Sequence, residues 1–187
     1  MAFVLIAAQI HPKYLPAWEK SAFLYINHLP EWLRYGMQAL QYLGVLLMPA
    51  LVAVGFALRK RYATTPMLLA IIPLKLAVEH MVKLHVQRER PGAYIAETIL
   101  RGDVQAHGLS FFSGHAFIVA AIATLLTPVV NVYWRIALWA LVILCLVARI
   151  YLGAHLPLDV IAGALAGAAC GVALLLTKSV IHYYLQK

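Results

Sequence analysis

The feature that most constrains this chain is a series of apolar segments, each long enough to cross a lipid bilayer. A transmembrane helix needs roughly 17–25 predominantly apolar residues, and such segments recur at 36–58, 64–82, 114–130, 134–152 and 156–177. Of the 187 residues, 64% are hydrophobic and 12% are charged, whereas about a quarter of the residues in a soluble domain are charged. The sequence therefore predicts an all-α fold, a polytopic membrane helix bundle of about five spanning helices.

A polar and aromatic segment precedes the first predicted span. Residues 12–35 mix Trp, Tyr and Pro with both signs of charge, and Trp and Tyr favour the lipid headgroup region. We interpret residues 1–35 as an interfacial segment that contains a helix, followed by a transmembrane domain over 36–187. The apolar start of the chain is interpreted as an interfacial anchor or, if the sequence is part of a larger protein, as the remnant of a longer helix.

The basic residues lie mainly in short loops, and the net charge is +8. Because they do not form a continuous basic face, we exclude nucleic acid as a partner. Loops 59–63 and 131–135 and the C-terminus share one face of the predicted bundle and carry only basic charges. The positive-inside rule assigns that face to the cytoplasm, so the long connection 83–113 and the turn 149–155 fall together on the extracytoplasmic face.

Three polar clusters lie on that extracytoplasmic face. Their sequences are "KLHVQRERP", "SFFSGHA" and "RIYLGAHLPLDV". Charged groups beside a membrane core are costly and usually mark a functional site. The candidate functional residues in these clusters are Lys83, Arg90, Ser113, Gly114, His115, Arg149, His155 and Asp159.

Five of these residues form a predicted phosphate-binding pocket. Arg90 and Arg149 present planar guanidinium groups that suit phosphate oxygens, and Lys83 adds a compact positive charge. Ser113 is placed to cap the helix that begins at Gly114. Since glycine has no side chain, an anion can approach the free N–H groups of that helix end.

The remaining three residues predict nucleophilic catalysis. His155 and Asp159 are four positions apart, so they share one face at the start of a helix. The aspartate can accept a hydrogen bond from one imidazole nitrogen and leave the other nitrogen nucleophilic. His115 comes from another helix and can protonate the leaving oxygen. Because the surrounding cations would repel a divalent ion, we predict metal-independent phosphoryl transfer, with no metal site and no cofactor.

Other charged residues are additional candidates. Arg88 is the best second contact for a phosphate or headgroup, and Glu79 is placed to orient Lys83. A Lys75–Glu79 ion pair between helices is the simpler interpretation of that spacing. We interpret the other charges of the long connection, including Arg101, as solvated loop residues. The small residues at 163, 167 and 171 predict close helix packing, with a dimerisation face as the alternative.

The motifs K-x6-RP, SGH and R-x5-H-x3-D, in this order, resemble the three signature motifs of the type 2 phosphatidic acid phosphatase (PAP2) superfamily. The resemblance implies that Lys83, Arg90 and Arg149 bind phosphate with Ser113 and the Gly114 amide, that His155 forms a phosphohistidine intermediate oriented by Asp159, and that His115 is the proton donor. The chain departs from the family pattern at Phe112, where proline is usual, and at Ala148, where serine is usual. The family core also has six spans.

We therefore expect a membrane enzyme that hydrolyses a lipid phosphate or diphosphate. The substrate class includes polyprenyl phosphates and diphosphates such as undecaprenyl diphosphate, phosphatidylglycerol phosphate, phosphatidic acid and the phosphate of lipid A. The alternatives are a lipid phosphotransferase with the same site and a non-catalytic protein that binds or moves lipids. The expected location is the bacterial inner membrane, with the active site on the periplasmic side, and the oligomeric state is left open.

Overall fold

The computed structural model describes residues 15–185, so the N-terminal anchor predicted before them lies outside the described residues. Within this range the regular secondary structure is helical, apart from one isolated bridge between Glu89 and Leu109, and the predicted all-α fold is confirmed. The helices are α1 (Ala17–Asn27), α2 (Arg34–Gln41), α3 (Met48–Leu58), α4 (Thr65–His85), α5 (Pro91–Tyr94), α6 (Gly114–Leu126), α7 (Val132–Tyr151) and α8 (Pro157–Leu185).

Helix α1 packs on the bundle, in a segment that we predicted to be interfacial. Its buried face carries Glu19, Phe23 and Asn27, and it contacts α7 and α8. The Asn27 amide donates to the carbonyl oxygens of Ile99 and Tyr151, at 2.9 Å each. The outer side of this region carries exposed aromatic residues, as the headgroup zone favours: Trp18, Tyr25, Trp32 and Tyr35.

The prediction of a single straight helix over 36–58 is wrong. The chain bends by 69° between the helical stretch Glu31–Gly44 and α3, and Val45 is extended at φ −70° and ψ 153°. A Cβ atom on Gly44 would lie 2.6 Å from the Cβ atom of His115. This close approach places the short 3-10 turn after α2 (Tyr42–Gly44) against the start of α6 and requires a residue without a side chain.

Two helical stretches within the described residues are long and apolar enough to cross a membrane. They are Val132–Tyr151 and Pro157–Val180, and the bent pair would make a third if it is counted as one span. Helix α4 has 21 residues but carries three charged side chains and an internal proline, whereas Gly114–Val129 is shorter. The number of five crossings therefore stays a prediction.

Helix α6 lies at the centre of the bundle. Every one of its residues except His115 is buried, which accords with a helix that is apolar on all sides. Helix α8 packs closely along it. A Cβ atom on Gly163 would lie 2.4 Å from the Ser113 carbonyl oxygen, and one on Gly167 would lie 2.1 Å from that of Phe117. The predicted role of the glycines in close helix packing is therefore confirmed.

Replacing Gly167 with Ala is expected to destabilise the protein, because the added methyl group would overlap the backbone of Phe117. Overpacking of this kind costs about 1–3 kcal/mol. Thermal unfolding of the purified protein in detergent should show a lower midpoint. The control is Gly55→Ala in α3, where nothing lies within 4 Å of the added atom. Equal midpoints for the two variants would contradict the close packing of α6 and α8.

Candidate active site

Four helix ends meet at one end of the bundle: the end of α4, the start of α6, the end of α7 and the start of α8. The Ser113 amide donates to the Asp159 carbonyl oxygen at 3.0 Å, and the Arg101 amide donates to the Leu152 carbonyl oxygen at 3.1 Å. Gly153 has φ +82°, and a Cβ atom there would lie 2.7 Å from the Ile99 carbonyl oxygen. These contacts connect the long 83–113 loop to the turn that carries His155.

A polar cavity of about 270 Å³ opens at this end of the bundle. It brings together three of the predicted site residues with the end of α2 and part of the long loop. The residues that line it are Gln41, Tyr42, Val45, Arg90, Asp103, Val104, Gln105, His115 and Arg149. A cavity with two guanidinium groups and an imidazole suits an anion such as phosphate.

Both arginines of the cavity have a partly satisfied guanidinium group. Arg149 donates through one terminal nitrogen to the Gln41 side-chain oxygen at 2.5 Å. Arg90 donates to the Gln105 carbonyl oxygen at 3.3 Å. The Nε atom of each arginine is buried and has no hydrogen-bond partner among the described residues. Buried donors are normally paired, so these two arginines retain capacity for an anionic ligand.

His155 and Asp159 are adjacent and buried at the start of α8. The His155 Nδ1 atom lies 3.8 Å from Asp159 Oδ2, which is longer than a hydrogen bond. The same carboxylate oxygen accepts a hydrogen bond from the Leu156 amide at 2.9 Å. With Nδ1 facing the carboxylate, Nε2 is the nitrogen that remains for chemistry.

The pKa of His155 is lowered to about 4. Burial is the largest cause because it disfavours the charged imidazolium; Asp159 acts in the opposite direction, and Arg149 lowers the pKa further. The imidazole is therefore neutral at pH 7. A neutral imidazole retains the lone pair that a nucleophile needs.

Ser113 and His115 occupy the N-terminal turn of α6. Ser113 is buried and caps the helix, with its hydroxyl oxygen accepting from the Ala116 amide at 3.5 Å. His115 lines the cavity together with Arg90 and Arg149. Because the Ser113 amide donates to the Asp159 carbonyl oxygen, the turn that carries His115 lies against the turn that carries His155.

Lys83 is not among the cavity-lining residues within the described part of the chain. Its ammonium group donates to Glu79 Oε1 at 2.7 Å, while Lys75 pairs with Glu79 Oε2. A Cβ atom on Gly114 would lie 3.0 Å from the Lys75 ammonium nitrogen. One carboxylate thus holds both lysines, and Lys75 is the lysine that lies beside the start of α6.

Arg88 does not face the cavity as a second phosphate contact. Its two terminal nitrogens bind carboxylates instead, Glu19 and Asp159, and its side chain is buried. Arg101, which we interpreted as a solvated loop residue, is also buried: it donates to Glu31 and to two carbonyl oxygens and lies over the Tyr151 ring. These two loop arginines are shielded from solvent because carboxylate or carbonyl acceptors surround each guanidinium group.

Sequence reasoning missed two residues of this region, Glu19 and Gln41. Both are buried, and each contacts an arginine far away along the chain. Neither lies in a motif, and a single acid or amide in an amphipathic segment carries no local signal. Only the way in which α1 and α2 pack on the bundle identifies them.

The imidazole of His155 is expected to titrate near pH 4, because burial keeps the ring neutral until the pH falls well below the ordinary value of 6.5. Nuclear magnetic resonance of histidine-labelled protein should show this midpoint, and a His155→Asn variant would assign the resonance. Circular dichroism at each pH would establish that the protein stays folded. A midpoint at or above 6.5 would contradict the burial of this ring.

The chain resembles known proteins in sequence and in fold. A sequence model of the PAP2 superfamily matches residues 63–182. The structure is similar to the crystal structure of Aquifex aeolicus LpxE, with a TM-score of 0.79 and 26% sequence identity over 89% of this chain and 99% of that chain.

The fold is also similar to that of a transmembrane PAP2 type phosphatidylglycerolphosphate phosphatase from Bacillus subtilis. The TM-score is 0.74 and the identity 22%, over 96% of this chain and 94% of that chain. No curated protein matches the sequence. Since the family match covers well over half of the 187 residues, the chain belongs to the PAP2 superfamily and, given its apolar helices, is an integral membrane protein.

Proposed function

We propose that the protein is a metal-independent phosphatase that hydrolyses a membrane lipid phosphate or diphosphate through a phosphohistidine intermediate. The observation that carries this proposal is the meeting of Arg90, Arg149 and His115 at one cavity, with His155 and Asp159 buried beside them. The match to the PAP2 superfamily and the likeness to a phosphatidylglycerolphosphate phosphatase support a lipid phosphatase.

In the first step, the Nε2 atom of His155 attacks phosphorus. A nitrogen–phosphorus bond forms while the bond between phosphorus and the leaving oxygen breaks. His115 starts this step as an imidazolium and donates its proton to the departing oxygen; general acid catalysis of this kind contributes about 10²- to 10⁴-fold. Asp159 stabilises the positive charge that develops on the imidazole of His155.

In the second step, water attacks the phosphohistidine. The nitrogen–phosphorus bond breaks, His115 accepts a proton from the water, and inorganic phosphate leaves. Arg90 and Arg149 stabilise the negative charge that builds up on the phosphate oxygens in both transition states. Each residue returns to its starting protonation state, so no co-reactant other than water is needed.

The start of α6 supplies the other phosphate contacts of this proposal. The Gly114 amide lies at a helix N-terminus, where free N–H groups favour an anion, and Ser113 fixes that turn. Lys83 adds positive charge from the end of α4, oriented by Glu79. Lys75 lies beside Gly114 and contributes to the same positive field.

The substrate class follows from the surroundings of the cavity. Apolar helices enclose the site, so a lipid tail can stay among them while the headgroup reaches the cavity. The class comprises phosphatidylglycerol phosphate, phosphatidic acid, polyprenyl phosphates or diphosphates, and lipid A type phosphates. One of the similar proteins is itself a phosphatidylglycerolphosphate phosphatase.

We place the active site on the extracytoplasmic side of a bacterial inner membrane. The opposite end of the bundle carries the basic loops: Arg59 and Arg61 lie around one cavity there, and Lys178 lines another. The positive-inside rule assigns such an end to the cytoplasm. The enzyme would therefore meet its substrate in the outer leaflet.

The test is release of inorganic phosphate from a panel of these lipids in detergent, with a chelator present. The wild type is expected to release phosphate from at least one lipid. His155→Ala should lose about 10³-fold or more in rate, since the nucleophile is absent. If a phosphohistidine forms, radiolabelled phosphate that stays bound to the protein should be released by acid. A label that is stable in acid and released by base would argue against a histidine adduct.

Three results would contradict this proposal. Phosphate transfer to a second lipid without free phosphate would favour a phosphotransferase. Binding of lipid without any turnover would favour a non-catalytic role. Loss of activity in the chelator, restored by added metal, would overturn metal independence.

A further inference from the structure

A buried ion cluster connects α1 to the catalytic residues. The side chains of Glu19 and Asp159 are 0% exposed and that of Arg88 is 3% exposed. Arg88 binds Glu19 through both terminal nitrogens, at 3.2 and 2.5 Å. It makes one hydrogen bond of 2.8 Å to Asp159 Oδ1. The guanidinium group therefore lies between two carboxylates that come from opposite ends of the chain.

The charges in this cluster do not cancel. Two carboxylates and one guanidinium leave one negative charge, and Asp159 is the member that faces His155. The pKa of Arg88 is raised: burial acts to lower it, but Asp159 and Glu19 outweigh that effect. Arg88 therefore stays charged.

Glu19 determines how Arg88 contacts Asp159. Because Glu19 takes a hydrogen bond from each terminal nitrogen, Arg88 offers only one bond to Asp159, at Oδ1. The other oxygen, Oδ2, accepts from the Leu156 amide and faces His155. Without Glu19, the guanidinium could turn both nitrogens toward Asp159, as arginine–carboxylate pairs commonly do.

Glu19 also fixes the start of α8 directly. Its Oε1 atom accepts a hydrogen bond from the Leu158 amide at 2.9 Å. Leu158 lies between His155 and Asp159 in the chain, in the first turn of the helix, where backbone N–H groups need an outside acceptor. Glu19 on α1 therefore contacts the backbone of the turn that carries His155 and Asp159, and it also contacts the arginine that binds Asp159.

We propose that Glu19 is a positioning residue for the reaction proposed above, one that restrains Arg88 so that Asp159 keeps one carboxylate oxygen directed at His155. This inference rests on the proposed function. It also makes α1 a part of the active-site architecture rather than only a membrane-surface segment.

The decisive variant is Glu19→Gln, which keeps the shape of the side chain and removes its charge. We expect kcat to fall about 10- to 100-fold, within the range of coupling between residues of one network, while KM changes by less than about threefold because Glu19 does not touch the substrate. Glu19→Asp should recover part of kcat. The matched control is Lys20→Gln, which breaks the exposed ion pair with Glu97 and should leave kcat unchanged.

A double variant separates positioning from simple stabilisation of the fold. If Glu19 acts through Asp159, then Glu19→Gln should cause no further loss of kcat in an Asp159→Asn background. Multiplying losses in the double variant would overturn the proposal. So would a Glu19→Gln enzyme whose kcat lies within about twofold of the wild type.

A nuclear magnetic resonance measurement on the enzyme without substrate tests this inference separately from the proposed function. Glu19→Gln should shift the resonances of the His155 ring in the nuclear magnetic resonance spectrum, whereas Lys20→Gln should not. If the wild type releases no phosphate from any lipid, the proposed function fails, but the shift still decides whether Glu19 controls the surroundings of His155. An unmoved His155 resonance would overturn the positioning role.

Discussion

The close contact between α6 and α8 is the constraint on which the active site depends. Glycines on α8 let its backbone touch the carbonyl groups of α6, and the Ser113 amide donates to the Asp159 carbonyl oxygen. The start of one helix is thereby held against the start of the other. His115 and His155 come from these two starts, so backbone packing holds the turns that carry the two histidines against each other.

The buried arginines differ in how many of their guanidinium nitrogens have hydrogen-bond partners. Arg88 and Arg101 each have carboxylate or carbonyl partners for two nitrogens of the guanidinium group, which suits a structural role. Arg90 and Arg149 each keep a buried Nε atom without a partner among residues 15–185. An unpaired buried donor is costly, and a bound phosphate would satisfy it. The same residue type thus serves two purposes, distinguished by its partners.

Sequence patterns predicted three of the residues that line the cavity, but not the pairing of Lys83 with Glu79 or the contacts that support the site. Arg90, His115 and Arg149 were placed together because helices that alternate across a membrane bring these loops to one end. The bend after Gly44, where the chain passes close to His115, was missed because the apolar pattern continues through it. Glu19 and Gln41 were missed because their partners lie 69 and 108 positions away, beyond the reach of any local spacing rule.

In this account, side chains from separate helices bind one phosphate group at a single site. An experimental structure with bound vanadate, which mimics the five-coordinate transition state, would test it most directly. The account predicts one vanadate in the cavity between Arg90 and Arg149, bonded to the His155 ring and contacted by His115. Vanadate bound elsewhere, or His155 and His115 on different sides of the bundle, would contradict it.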